Sequence, residues 1–160
     1  MTQGVQGKRS KKAGPLVVVG VDGSAGSKEA LRWAMNYAKT TGAHVRAVIG
    51  WHWPISLVVA LPVTELVDPL DEALETLNAA VADALGEASA ADVEVKAYYG
   101  AAVPVLLEAA AHASLLVVGS RGHGGFHGLL LGSTGEHCVR HAPCPVVVVR
   151  PEDVQERGAS

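Results

Sequence analysis

Leu16-Val17-Val18-Val19-Gly20-Val21 is apolar along its whole length, with no polar residue at alternate positions. A strand with one wet face alternates; an unbroken Val/Leu run belongs to a parallel strand covered by helices on both sides. Val45–Ile49, Leu115–Val118 and Val146–Val149 are runs of the same kind. Val93–Tyr98 differs, setting Val93, Val95 and Ala97 against Glu94, Lys96 and Tyr98, and reads as a more exposed strand at the sheet edge. In chain order these five are β1 (Leu16–Val21), β2 (Val45–Ile49), β3 (Val93–Tyr98), β4 (Leu115–Val118) and β5 (Val146–Val149).

Helical patterns fill the intervals. Ser24–Thr41 places Leu31, Ala34, Met35 and Ala38 at helical spacing, and Gly42 follows as a stop. Pro69–Gly86 carries the stripe Leu70, Ala73, Leu74, Leu77, Val81, Ala84 and Leu85. Asp68 is its expected N-cap, and Pro69 sits in the first turn, where a missing N–H costs nothing. Val103–Ala113 and Thr134–His141 are the third and fourth helices. The order β-α-β-α-β-α-β-loop-α-β predicts a single α/β domain over 15–150, an open five-stranded parallel sheet with helices on both faces.

Composition bounds the function. The chain has 160 residues, is 49% hydrophobic and carries a net charge of −3. An acidic balance excludes a general nucleic-acid binder, which needs a basic face. The basic run Lys8, Arg9, Lys11 and Lys12 lies in a glycine-rich stretch without apolar residues, so residues 1–14 read as a disordered tail, with a second tail at 151–160. The apolar run after that basic segment is six residues long, short of the roughly 7–15 of a secretory leader. Ile55–Val67 contains Pro62 and Glu65 and falls short of the ~20 residues that cross a bilayer. These features predict a soluble, cytoplasmic protein with no membrane partner, and Cys138 and Cys144 fit a reducing compartment. The long connection Gly50–Asp68, with Trp51 and Trp53, is expected to pack down on the domain.

In an open parallel sheet, ligands bind beyond the carboxyl ends of the strands where the strand order reverses. With β1 central the order is the Rossmann-like 3-2-1-4-5, and the reversal falls between β1 and β4. Val21-Asp22-Gly23-Ser24 and Gly119-Ser120-Arg121-Gly122 leave those strands, and the second opens the glycine-rich stretch Gly119–Thr134. Glycines let backbone N–H groups approach a polyphosphate. Gly132-Ser133-Thr134 leads into a helix whose N-terminus attracts anions, and the Ser133 and Thr134 hydroxyls and Arg121 add phosphate contacts. Read locally, Ser133-Thr134-Gly135-Glu136 also matches a capping box with Ser133 as the cap. The stretch is neither a Walker loop nor a dinucleotide fingerprint.

Gly119, Gly122, Gly132 and Ser133 satisfy the pattern G-x2-G-x9-G-[ST]. With the opening Val-Val-Gly-Val-Asp-Gly-Ser, the helical Ala-Leu-Arg-Trp-Ala and the closing His-Cys-Val-Arg-His-Ala-Pro-Cys-Pro-Val-Val-Val-Val, the chain resembles the ATP-binding branch of the universal stress protein family over about Pro15–Arg150. The resemblance implies ATP with Mg²⁺ as ligand. Gly20, Val21 and Asp22 close β1, with Asp22 near adenine and ribose; Ile49 and Gly50 lie beside the adenine, the small Gly50 implying a wider pocket. Val118 and Gly119 contact ribose or the first phosphate, Arg121 and Gly122 line the phosphate path, and Gly132, Ser133 and Thr134 hold the far phosphates. Gly124, Gly125 and Gly128 are spacers. It also implies a homodimer paired through Val146, Val147, Val148 and Val149, and a nucleotide-dependent regulatory role in stress.

Other residues carry less. His137 and His141 are four apart on a helix but lack an evident third ligand, so no metal site is assigned. His123 and His127 read as solvent-facing loop residues. Asp22, Asp68 and Asp71 form no acid/base pair, Ser120 and Ser133 no nucleophile elbow, and no catalytic residue is assigned. The alternative function is a slow ATPase or phosphate-transferring enzyme using the same pocket.

Overall fold

A computed structural model describes residues 14–54, 67–123 and 131–151. Apart from Gly14 and Pro151, the expected tails lie outside these residues, as do most of the Gly50–Asp68 connection and loop positions 124–130, with His127 and the spacer glycines. The elements are β1 (Leu16–Gly20), α1 (Ala25–Thr41), β2 (His44–Trp51), α2 (Pro69–Leu85), α3 (Glu87–Ala90), β3 (Glu94–Tyr99), α4 (Ala102–Ala109), β4 (Leu115–Gly119), α5 (Ser133–His141) and β5 (Val146–Val149), with a 3-10 turn at Ala110–His112 after α4.

The sheet is five-stranded and parallel in every pairing, in the order β3-β2-β1-β4-β5. β1 is its centre. Val17 pairs with Val45 on one side and Leu115 on the other, and Val17, Val18 and Val19 are wholly buried. Successive side chains of a strand face opposite ways, so Val17 and Val19 join Leu31 and Ala34 of α1 and Leu77 and Val81 of α2 in one core. Val18 joins Val105 and Leu106 of α4 and Cys138 of α5 in a second core on the other face. The unbroken valine run is required because both faces are dry. Each fully buried Leu or Val contributes about 1.5–3 kcal/mol over exposure.

Local signals set the helix ends. Ser24 caps α1 by accepting the Ser27 N–H, and Gly42 ends it in the left-handed conformation at φ 71°. Asp68 caps α2 through the Leu70 N–H at 2.9 Å, with Pro69 in the first turn. Arg32 of α1 donates to the Ala84 carbonyl at the end of α2 at 3.0 Å, and Lys28 pairs with Asp83 at 2.6 Å, locking the two helices side by side.

Some boundaries differ from the sequence expectation. β2 runs on to Trp51 because it pairs with β3 as far as Trp51↔Tyr99. β3 begins one residue late, after the buried Val93, but it is the edge strand as expected, with Ala97 buried and Tyr99 exposed. α3 is a turn the sequence reading missed: Gly86 ends α2, and the helix-forming Glu87–Ala90 restarts the spiral. Trp51 packs edge-on against Tyr99 at 5.2 Å between ring centres. Trp53, expected to pack down with it, is 40% exposed. No described helix is long and apolar enough to cross a membrane.

Candidate functional site

Where β1 and β4 end, their chains diverge to opposite sides of the sheet and leave a cleft of about 290 Å³. Its walls include all twelve residues singled out from the sequence: Gly20, Val21, Asp22, Ile49, Gly50, Val118, Gly119, Arg121, Gly122, Gly132, Ser133 and Thr134. They come from four separate segments of the chain. Val48, Ala102 and Leu106 extend the apolar side, and Ser24, Ser27, Ser120, His123 and Gly135 extend the polar side. None of these eight was singled out as a site residue: Ser24 lay in the opening motif, Gly135 in the capping pattern, and Ser120 and His123 within the glycine stretch, while Ser27, Val48, Ala102 and Leu106 carried no motif signal.

The glycines have distinct reasons. A Cβ on Gly119 would stand 2.7 Å from the Gly26 carbonyl carbon, and one on Gly26 would stand 2.5 Å from the Arg121 carbonyl oxygen. The first turn of α1 therefore lies directly on the β4 exit, glycine against backbone, with no room for a methyl. Gly50 needs correction. A Cβ there would meet the Gly100 carbonyl at 2.6 Å, so its smallness serves the close approach of the β3–α4 turn rather than a wider pocket. At Gly132 the nearest atom to a Cβ is 3.5 Å away, ordinary contact. The fold does not itself demand that glycine.

Gly132 is the N-cap of α5, extended at φ −72° and ψ 167°, with no side-chain cap. The capping box is thereby overturned. The Gly132 N–H bonds the Ser120 carbonyl at 2.6 Å, which fixes it as the last non-helical residue and places Ser133 inside the first turn. Glu136 pairs instead with Arg140 at 2.9 Å. Among the described residues, no side chain caps the start of α5 where it meets the cleft, and a helix start with uncapped first-turn N–H groups attracts anions.

Across the cleft stands Asp22. Its Oδ1 accepts the Ser24 N–H at 2.9 Å and its Oδ2 accepts the His123 N–H at 3.1 Å. Burial pushes this carboxyl up, but hydrogen bonds from the Ser24 side chain and backbone, from the His123 backbone and from the Ser27 side chain outweigh it and hold the group below its ordinary value. Asp22 is therefore ionised and serves as an acceptor. His137 and His141 stack at 6.2 Å on α5, and among the described residues no group of three or more His, Cys, Asp or Glu is gathered to hold a metal.

This topology and cleft coincide with a match of the universal stress protein family model to residues 16–150. The chain belongs to the universal stress protein family. A universal stress protein of Mycolicibacterium smegmatis is 34% identical over 142 residues, covering 86% of this chain and 48% of the relative. One from Mycobacterium tuberculosis, Rv2623, is 33% identical with the same coverage. The chain spans about half the length of the curated relatives it matches. Among solved structures, a universal stress protein in complex with cAMP is 31% identical, with a TM-score of 0.55 and coverage of 88% of this chain and 99% of that one. The universal stress protein UspA from Lactobacillus plantarum is 25% identical, with a TM-score of 0.62 and coverage of 89% and 100%.

Proposed function

We propose that this universal stress protein binds an adenine nucleotide, ATP carried with Mg²⁺, in the β1/β4 cleft, and that the bound nucleotide sets its activity as a regulatory factor in the cytoplasm. The observation that carries the reading is the uncapped start of α5 facing the cleft beside Gly119, Gly122 and Arg121. Ser133, Thr134 and Arg121 line the cleft there beside the backbone of the glycine segment, a set of donor residues suited to phosphate oxygens. The apolar side, with Val48, Ile49, Ala102 and Leu106, suits a flat base. The cAMP complex of a 31% identical relative adds support for an adenine ligand.

Among the described residues lining the cleft Asp22 is the one carboxylate, and both its oxygens accept backbone N–H groups. Mg²⁺ would accordingly be held chiefly by the nucleotide's phosphates and water, with the Ser133 or Thr134 hydroxyl as the protein's share. A carboxyl held below its ordinary value is a weak proton acceptor, which favours holding ATP over hydrolysing it.

The test is calorimetric titration of the protein with ATP, with Mg²⁺ and with EDTA, alongside chromatography of any nucleotide released on denaturation. Gly132→Glu is the informative variant, because its Cβ is accommodated and its carboxylate would repel phosphate. ATP bound by the parent and lost in a folded Gly132→Glu is the expected result. A parent that neither carries nor takes up nucleotide overturns the reading.

A further inference from the structure

We propose that Asp22 is a positioning residue, a clasp that holds the β4 exit against the β1 exit, and that Gly122 is glycine because of that clasp. The carboxylate is first fixed on its own side. Oδ1 accepts the Ser24 N–H, closing a tight turn through Gly23, whose φ of 84° suits glycine. Ser24 caps α1, and the buried Ser27 hydroxyl donates to the Ser24 carbonyl at 2.9 Å. The turn is thus built into the start of a 17-residue helix.

From this base Oδ2 crosses to the His123 N–H, 101 residues away in sequence. It passes over Gly122 so closely that a Cβ there would stand 2.6 Å from Oδ2. The second glycine of the motif is therefore small toward Asp22. Two further contacts hold the same segment: the Arg121 carbonyl lies on Gly26, and Gly132 is tied to Ser120 at 2.6 Å. The clasp is the outermost of the three, and it fixes the backbone of Arg121, Gly122 and His123 beside the cleft.

A carboxylate that positions a loop and one that touches the nucleoside make different predictions. Hydrogen exchange of the His123 amide, followed by NMR in nucleotide-free protein, tests the clasp directly. Asp22→Asn turns a donor toward a donor, and Gly122→Ala drives a methyl into the carboxylate. Each is expected to speed exchange at His123 by about tenfold or more, the scale of a lost charged hydrogen bond, with core amides such as Val18 still protected. The double variant should exchange no faster than the faster single one, because both remove one interaction. Unchanged His123 exchange in the folded variants overturns the proposal; should one variant fail to fold, the other decides.

The second arm rests on the nucleotide reading. Affinities of the parent and Asp22→Asn for adenosine and for ATP are compared. A positioning role predicts a loss of about tenfold for ATP with adenosine little changed. Equal losses for both ligands would make Asp22 a direct nucleoside contact and overturn the positioning role. A parent that binds neither ligand defeats the nucleotide reading alone, while the exchange measurement still judges the clasp.

Discussion

Asp22 shows how one side chain ties acidity to loop order. Its carboxyl sits below the ordinary 3.8 in the folded protein. A depressed carboxyl contributes stability that is fully present above its unfolded value and is lost as pH falls through the folded one. Asp22→Asn lacks the charge at every pH, so it mimics the protonated parent. The parent is therefore expected to be the more stable of the two from neutral pH down to about the unfolded carboxyl value, and the gap should close below it. Denaturant midpoints of the two proteins across the acid range measure this, and other carboxylates cancel because both chains share them. A gap that stays constant, or widens, as acid is added would contradict the assignment of the hydrogen bonds at Asp22.

At the scale of elements, legibility followed locality. The runs in β1 and β4 were readable because both faces of each strand are dry, and the start of α2 because Asp68 caps within its own turn. The cleft was readable from topology plus the glycine spacing, since a strand-order reversal fixes where loops part. Contacts between distant segments were not readable: Gly26 against Arg121, and Asp22 against His123, have no local signature. The start of α5, where the sequence leaves a Ser133 capping box open beside an anion-attracting helix start, turns on another such contact: the bond from Gly132 to Ser120 puts Ser133 inside the helix. That placement gives a prediction. Gly132→Ser should be accepted sterically, cap α5 and raise stability by a few tenths of a kcal/mol. Its hydroxyl would take a first-turn N–H, so ATP affinity should fall several-fold. Thermal melts paired with calorimetry check both halves; unchanged or tighter ATP binding would remove the α5 terminus from the phosphate site.

At the scale of the whole molecule, β5 forms one edge of the sheet. Leu116 and Ser120 donate to the carbonyls of Pro145 and Val149, so odd-numbered residues face β4 and the backbone groups of Val146 and Val148 face outward. An apolar edge with outward backbone donors favours pairing with a second copy. Val148→Pro removes an outward N–H while leaving the β4 ladder intact, and is expected to abolish self-association through this edge in sedimentation equilibrium. The same edge reaches the cleft in two bonds, from the Val149 carbonyl to the Ser120 N–H at 2.8 Å, and from the Ser120 carbonyl to the Gly132 N–H at 2.6 Å. Pairing of β5 with a second copy would therefore brace the base of the glycine segment and the start of α5. Linkage requires the effect to run both ways: if dimerisation tightens ATP binding, ATP must tighten dimerisation by the corresponding factor. Dimer dissociation constants with and without ATP, set against ATP affinities of the parent and Val148→Pro, measure both sides of that cycle. Equal dimer affinity in the two conditions would mean that β5 and the cleft are energetically independent, whatever bonds join them.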